Sequence, residues 1–238
     1  MLLGGLQKMT LIDYPGKVAA TVFTVGCNFR CPFCHNPELV LSSQFTVYSS
    51  EQNERQVEEF FEFLKSRQGK LDGVCITGGE PTLQADLADF IKRIKDLGFT
   101  VKLDSNGTRP DVLKELFDKK LVDYVAMDIK SSLNNYEKVC GDIKLDLERI
   151  KLSVELIRNS GVDYEFRTTV VPGLHTVDEF KEVAKWLAGS RKYILQKYED
   201  NGKILDETLT RRIKGEEIDL EKIKNIMETT IEDVSIRR

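Results

Sequence analysis

The sequence predicts an α/β protein built as an incomplete (β/α)6 barrel of parallel strands, with its active site at the carboxyl ends of those strands. Three observations carry this expectation. Short β-rich apolar runs alternate with segments of helical periodicity, which implies a parallel sheet with helical crossovers. The chain has 238 residues, 41% hydrophobic and 31% charged, and an α/β barrel routinely uses such a length as one domain. Finally, every conspicuous polar or glycine-rich group follows a strand, on the edge where barrels and open α/β sheets place their active sites.

Taken in order, the first clear strand covers residues 18–25, entered through the turn Asp13-Tyr14-Pro15-Gly16. A helix follows over 51–67, with Val57, Phe60, Phe61 and Leu64 on one face. Further strands are expected at 73–76, 99–103, 124–127, 164–170 and 193–196. The helices between them are expected at 84–97, 111–119, 146–160 and 177–187, and a last helix near 220–230 closes the chain. Six strand–helix units fit either an open doubly wound sheet or an incomplete barrel. A doubly wound sheet offers its crevice mainly at one switch point. Here all six strand ends carry a motif: Cys27, Thr77-Gly78-Gly79-Glu80-Pro81, Asp104-Ser105-Asn106-Gly107, Asp128 with Lys130, Val171-Pro172-Gly173, and Gln196-Lys197-Tyr198. That favours a curved sheet with one shared mouth. The expectation is a single domain over 1–238, with a core at about 17–200 and a C-terminal extension over 201–238 that could cap the barrel or contact a partner.

Composition excludes several classes. With 35 basic and 39 acidic residues the formal net charge is −4, and no basic run suggests a nucleic-acid footprint. No apolar stretch approaches the roughly 20 residues of a membrane span. The first residues lack a charged region followed by an apolar one, so no signal peptide is expected and the default location is the cytoplasm.

Five cysteines are present, three of them in Cys27-Asn28-Phe29-Arg30-Cys31-Pro32-Phe33-Cys34. An odd number with three clustered reads as metal ligation rather than a disulfide framework. Zinc completed by His35 is open on spacing alone, although His35 directly abuts Cys34. A cubane cluster normally takes four thiolates, so three leave one iron free to bind another molecule.

This loop, with aromatic Phe33 before its third cysteine, resembles the cluster motif of the radical S-adenosylmethionine superfamily. The resemblance implies a [4Fe–4S] cluster on Cys27, Cys31 and Cys34, and S-adenosyl-L-methionine as the cofactor it cleaves. The Gly78-Gly79-Glu80 run, an ordinary turn if met alone, resembles the family's GGE motif. It implies that these residues hold the methionyl amino group. LDSNG followed by MDIK resembles the glycyl-radical-enzyme activases, in which Asp104, Asp128 and Lys130 would contact the amine, ribose and carboxylate, with Ser105 and Phe33 beside them and Val171 covering the adenine. Gln196 stands where relatives in the formate-lyase-activating group often carry histidine, which puts a stacking ring there in doubt. The run LIDYPGKVAATVFTVGCNFRCPFCHNPELV, with GVCITGGEPTLQ and VKLDSNGT, is most similar to activating proteins of anaerobic ribonucleoside-triphosphate reductase. Over the first 130 or so residues the likeness is close; beyond them it is looser. It implies an activase whose radical abstracts hydrogen from a glycine of a partner glycyl radical enzyme, fed by a donor such as flavodoxin or ferredoxin.

Other residues read plainly. Arg167 is a strand charge, inward or outward, of unknown role, although charged strand residues are usually solvated. His175 reads as a surface loop residue, Cys75 as a small core hydrophobe, and Cys140 as a loop residue. Two spare cysteines cannot hold a second cubane unaided. Two alternatives stay open: a small-molecule enzyme similar to the 7-carboxy-7-deazaguanine synthases, and a non-catalytic zinc-binding module.

Overall fold

The computed structural model describes residues 1–40, 50–200 and 202–237. Among the described residues, eight strands form one sheet in the order of the chain: β1 (Leu3–Thr10), β2 (Ala19–Thr24), β3 (Gly73–Gly78), β4 (Thr100–Ser105), β5 (Tyr124–Asp128), β6 (Asp163–Val170), β7 (Lys192–Lys197) and β8 (Asp233–Arg237). β1 lies antiparallel to β2, and β2 through β8 are parallel. The strand order never reverses, so there is no switch point. β1 and β8 are its two edges and do not pair, leaving the barrel incomplete.

The helices are α1 (Pro37–Val40), α2 (Ser50–Lys65), α3 (Leu87–Asp96), α4 (Pro110–Asp118), α5 (Tyr136–Val139), α6 (Leu147–Asn159), α7 (Glu179–Trp186), α8 (Leu209–Arg212) and α9 (Leu220–Met227). None is long and apolar enough to cross a membrane among the described residues. The barrel and its six expected units are present, with two strands added. β1 escaped notice because its sequence, LGGLQKMT, has two glycines and only a weak alternation. β8 is a five-residue strand after the last helix. The helix expected to begin at 84 begins at Leu87, because Pro81–Leu83 form a 3-10 turn capped by the Glu80 side chain.

Period-two alternation gives the sheet two chemically different faces. Val101, Leu103, Val125, Met127, Tyr164 and Phe166 join the main apolar core under the helices. The alternate positions on the same strands meet inside the barrel. There Tyr14 packs against Tyr124 with ring centroids 6.0 Å apart, the Tyr124 hydroxyl donates to Glu165 at 3.1 Å, and Lys102, Asp104, Asp128 and Arg167 form ion pairs. The lumen is therefore polar where many parallel barrels are filled by branched aliphatics.

Local signals fix the helix ends. Asp146 and Asp219 cap α6 and α9 by accepting from Glu148 N and Lys222 N. Pro110 opens α4, where a missing N–H costs nothing. The predicted apolar face of α2 meets α3 through Phe60, Phe61 and Phe90, with centroids 5.2 to 5.3 Å apart. Removing Phe90 leaves a cavity that its ring neighbours cannot fill. Phe90→Ala should cost about 3–5 kcal/mol, read as a lower urea midpoint at unchanged slope in anaerobic denaturation followed by circular dichroism.

Candidate active site

β2 delivers the chain through Gly26, at φ +95, into the cysteine loop. The loop is held by its backbone. Arg30 N donates to Cys140 O at 2.9 Å, and Cys34 N to Cys31 O at 3.0 Å. The Arg30 guanidinium donates to the carbonyls of Cys27 and Phe29 at 2.6 and 2.7 Å. From the C-terminal extension, Leu205 N reaches Cys34 O at 3.2 Å and Asp206 N reaches Pro32 O at 3.0 Å. Part of that extension thus lies against the cysteine loop.

Cys27, Cys31 and Cys34 all line one cavity at the carboxyl ends of the strands. Burial pushes the Cys27 thiol up to about 12 and raises Cys34 as well. A hydrogen bond from the Cys140 thiol draws Cys31 below the ordinary thiol value. Among the described residues, no three His, Cys, Asp or Glu side chains are gathered closely enough to chelate one metal ion. A cubane places each thiolate on a different iron, so three thiols spread around one cavity fit that group. His35 lines the same cavity but stacks on Tyr198, with ring centroids 5.7 Å apart.

The two glycines at the end of β3, Gly78 and Gly79, serve a purpose the sequence did not suggest. A Cβ at Gly79 would stand 2.1 Å from Gly26 O, and one at Gly78, whose φ is +114, would stand 2.4 Å from Thr24 N. Their bare faces meet the strand that leads into the cysteine loop, not an open space for a ligand. Gly79 N donates to Thr24 O and Glu80 N to Gly26 O, each at 2.8 Å. This contact sets Glu80 beside the thiols.

The Glu80 carboxylate is 1% exposed. It accepts from Thr82 N and from the Thr82 hydroxyl, from Ser105 Oγ at 3.0 Å and from Asn106 N at 2.6 Å. No ion pair to it is formed among the described residues. Burial raises its carboxyl above the usual carboxylate value, and these hydrogen bonds offset part of the rise.

Opposite lies a row of alternating charges. Lys102 Nζ pairs with Asp104 Oδ1. Arg167 donates to Asp104 Oδ2 at 2.9 Å and to Asp128 Oδ1 at 2.5 Å. Lys130 Nζ donates to Asp128 Oδ2 at 3.0 Å. Register sets Arg167 beside Asp128 and Asp104 beside Ala126; the small Ala126 side chain leaves the guanidinium room to reach across. Burial disfavours both aspartates' charge, but Arg167, with Lys102 on one side and Lys130 on the other, holds both below the usual range. Burial likewise opposes the Lys130 ammonium, yet Asp128 and Cys31 hold it above its ordinary value.

Of the expected site residues, Cys27, Cys31, Phe33, Cys34, Gly78, Gly79, Glu80, Asp104, Ser105, Asp128 and Lys130 share this cavity. Val171 and Gln196 are outside its lining: Val171 is buried with its N–H on His175 Nδ1, and Gln196 lies one residue before the end of β7, beside Thr169. Arg167, Thr169, Asn36 and Asn106 line the cavity although the sequence marked none of them as contacts. Arg167, whose direction the sequence left open, points inward and is 13% exposed among carboxylates. His175, expected on the surface, is 4% exposed and edge-on to Phe33. Its Nε2 donates to Lys130 O at 2.8 Å while Nδ1 accepts from Val171 N. Cys75, expected among hydrophobes, has its sulfur 3.9 Å from Asp104 Oδ1 and 3.7 Å from Lys102 Nζ. Cys140 caps the end of α5 and is fully buried.

A parallel open barrel whose mouth gathers three free thiols, a buried carboxylate and a row of ion pairs defines a metal-cofactor enzyme. A family model described as the radical SAM superfamily matches residues 21–187. The chain is 34% identical to a Methanocaldococcus jannaschii protein named as a candidate glycyl-radical enzyme activating enzyme, over 99% of this chain and 95% of that one. It is 30% identical to the pyruvate formate-lyase-activating enzyme of Clostridium pasteurianum, over 79% of this chain and 75% of that enzyme. The solved structure of SuiB from Streptococcus suis bound to S-adenosylmethionine is similar in fold, with TM-score 0.61 and 14% identity over 90% of this chain; the chain spans 49% of that protein. The chain belongs to the radical SAM superfamily, in its family of glycyl-radical enzyme activating enzymes. Enzymes of this superfamily use a [4Fe–4S] cluster and S-adenosylmethionine, and these are the cofactors of this chain.

Two outcomes follow from this geometry. Gly79→Ala drives a methyl into the Gly26 carbonyl and should lower stability by about 1–3 kcal/mol, with the urea midpoint as the measurement. His175 is held below its ordinary value of 6.5 by burial, so the unfolded chain takes the proton first. The stability it contributes is complete above pH 6.5 and is lost as pH falls below that value. His175→Gln, which keeps a donor for Lys130 O, should flatten the stability profile between pH 6.5 and about 5; an unchanged slope there would exclude His175 as its source.

Proposed function

We propose that this protein installs a glycyl radical in a partner enzyme, and that the partner is anaerobic ribonucleoside-triphosphate reductase. The observation that carries the reading is the meeting of three free thiols with Glu80, a buried carboxylate that forms no ion pair among the described residues, in one cavity at the strand ends. Cys27, Cys31 and Cys34 would hold the cluster through their thiolates, which leaves it open to bind the cofactor. When bound, the cluster supplies the electron that cleaves S-adenosylmethionine to methionine and a 5′-deoxyadenosyl radical.

The chain's own residues bind and orient. Glu80 faces the methionyl amino group, because a buried carboxylate without a cation is the strongest acceptor in the cavity. Gly78, Gly79 and Ser105 hold Glu80 in place. Lys130 takes the methionyl carboxylate, and Asp128 takes the ribose with its remaining acceptor capacity. Asp104 stands behind the amine. Phe33 stands beside the adenine, with Val171 and Gln196 as the outer edge of that subsite. Arg167, which the sequence did not mark, fixes both aspartates and adds positive charge for the carboxylate. The mouth admits a glycine-bearing loop of the partner and keeps bulk water from the radical, while the radical chemistry belongs to the cofactors. The proposed setting is the cytoplasm, with flavodoxin or ferredoxin as the electron donor and the whole of 1–238 as one domain. The names of the two relatives support the activase part of this reading; the choice of reductase rests on the likeness of the run LIDYPGKVAATVFTVGCNFRCPFCHNPELV to its activating proteins.

Anaerobically reconstituted protein with dithionite should release 5′-deoxyadenosine, and Cys31→Ala should abolish release. Incubation with the candidate reductase and S-adenosylmethionine should give the electron paramagnetic resonance doublet of a glycyl radical. Release undiminished in Cys31→Ala would sink the cluster assignment, and the absence of a doublet with an active enzyme would sink the choice of partner.

A further inference from the structure

The cavity's row of charges does not end at its visible wall. Arg167, Asp104, Asp128 and Lys130 line the cavity; Lys102 does not. Its side chain is 1% exposed, against 18% for Lys130 at the other end of the row. Lys102 nevertheless closes the row, pairing with the Asp104 oxygen that Arg167 leaves free. With Lys102 counted, the charged groups around the cavity are three cations (Lys102, Arg167, Lys130) and three carboxylates (Glu80, Asp104, Asp128). Without it, the carboxylates around the cavity outnumber the cations by three to two.

An ammonium is expensive to bury unless it is paired, and nothing in the packing of β4 requires one at residue 102. The neighbours of the Asp104 carboxylate are few. Cys75 comes from β3, Asp128 from β5, and Arg167 from β6 with Glu165 one inward position below it. Arg167 is already shared with Asp128. Lys102 is therefore the one cation whose only carboxylate partner is Asp104 among the described residues.

We infer that Lys102 is a positioning residue of the cofactor site, the inner counter-ion that keeps Asp104 ionised and turned toward Arg167, so that cofactor affinity does not depend on protonation of the cavity wall. The inference rests on the reading of Asp104, Asp128 and Lys130 as S-adenosylmethionine contacts. It assigns Lys102 no contact with the cofactor. If Lys102 is lost, Asp104 keeps only the guanidinium it shares with Asp128, Lys130 stays on Asp128, and Glu80, Asp104 and Asp128 outnumber the two remaining cations by one; that excess negative charge is relieved by uptake of a proton. Binding of a cofactor that needs the wall ionised then becomes linked to pH, weakening as pH falls by at most about tenfold per pH unit for one proton.

The test is calorimetric titration of S-adenosylmethionine into anaerobic, oxidised holoprotein without reductant, so that nothing is cleaved. The quantity read is the ratio of Kd in the variant to Kd in the parent at each pH, which cancels titration of the free cofactor. For Lys102→Met the ratio should rise by roughly tenfold or more between pH 8.5 and 6. Lys102→Arg should return it to near one at all pH values. A ratio for Lys102→Met that stays flat across the range overturns the inference. If Lys102→Met does not fold, the double variant Lys102→Met/Asp104→Asn decides: recovery of folding when both charges go supports the pairing, and continued failure overturns it. Lys130→Met separates the two levels. Unchanged Kd in that variant sinks the cofactor-site reading itself, whereas weakened binding there with a flat Lys102→Met ratio sinks only the role of Lys102.

Discussion

The active end of this barrel depends on one buried guanidinium. Arg167 stands on β6 and donates to carboxylates on β4 and β5. Three strands are tied together at the height where the cavity begins. An ion pair removed from water costs several kcal/mol per charge unless its geometry is good and its remaining polar atoms are satisfied. Here both conditions hold, since each aspartate takes a second cation on its other oxygen. Such an array contributes less to stability than apolar residues of the same volume would. What it does give is order: each charged group has its partners fixed, and exposure to the mouth rises along the row from Lys102 to Asp128 and Lys130.

A second constraint joins the two halves of the site. The cysteine loop and Glu80 come from consecutive parallel strands, and their backbones approach so closely that no side chain fits between them. The glycines at the end of β3 are therefore fixed by the loop after β2. The extension near Leu205 and Asp206 bonds the same loop from another side. The loop that carries the thiols is held by backbone hydrogen bonds to Cys140, to Glu80 through Gly26, and to Leu205 and Asp206.

The legible part of this molecule was the part governed by periodicity and by local chemistry. Alternating strands and helices predicted the barrel, because each unit's apolar face is written in its own segment. The strand-end motifs predicted the cavity, since parallel strands bring their carboxyl ends together whatever the intervening helices do. β1 and β8 were not legible: an edge strand with two glycines and a short strand at the end of the chain owe their form to the neighbours they pair with. The burial of Arg167 and His175 was hidden for a related reason. Sequence position shows that a residue lies on a strand or in a loop, but not that a facing carboxylate or a facing carbonyl satisfies it there. Ala126 illustrates the point. As a residue in a strand it carries no signal, yet its small size lets Arg167 reach Asp104.

The polarity of the lumen follows from the same logic. A barrel serving only as a scaffold is best filled with aliphatics, which tolerate the absence of water without partners. This one places Lys102, Glu165, Tyr124 and Cys75 beneath its mouth, so its interior depends on pairing among polar groups, with Glu165 Oε1 left buried without a hydrogen-bond partner. Strand alternation makes that arrangement possible. Residues two apart on β4, and again on β6, face the same interior at successive depths, so a charge at the cavity wall can be matched by one a single step below it. The wall that faces a cofactor and the layer that supports it are then written in the same short strands, and a substitution at either depth changes the electrostatics of both.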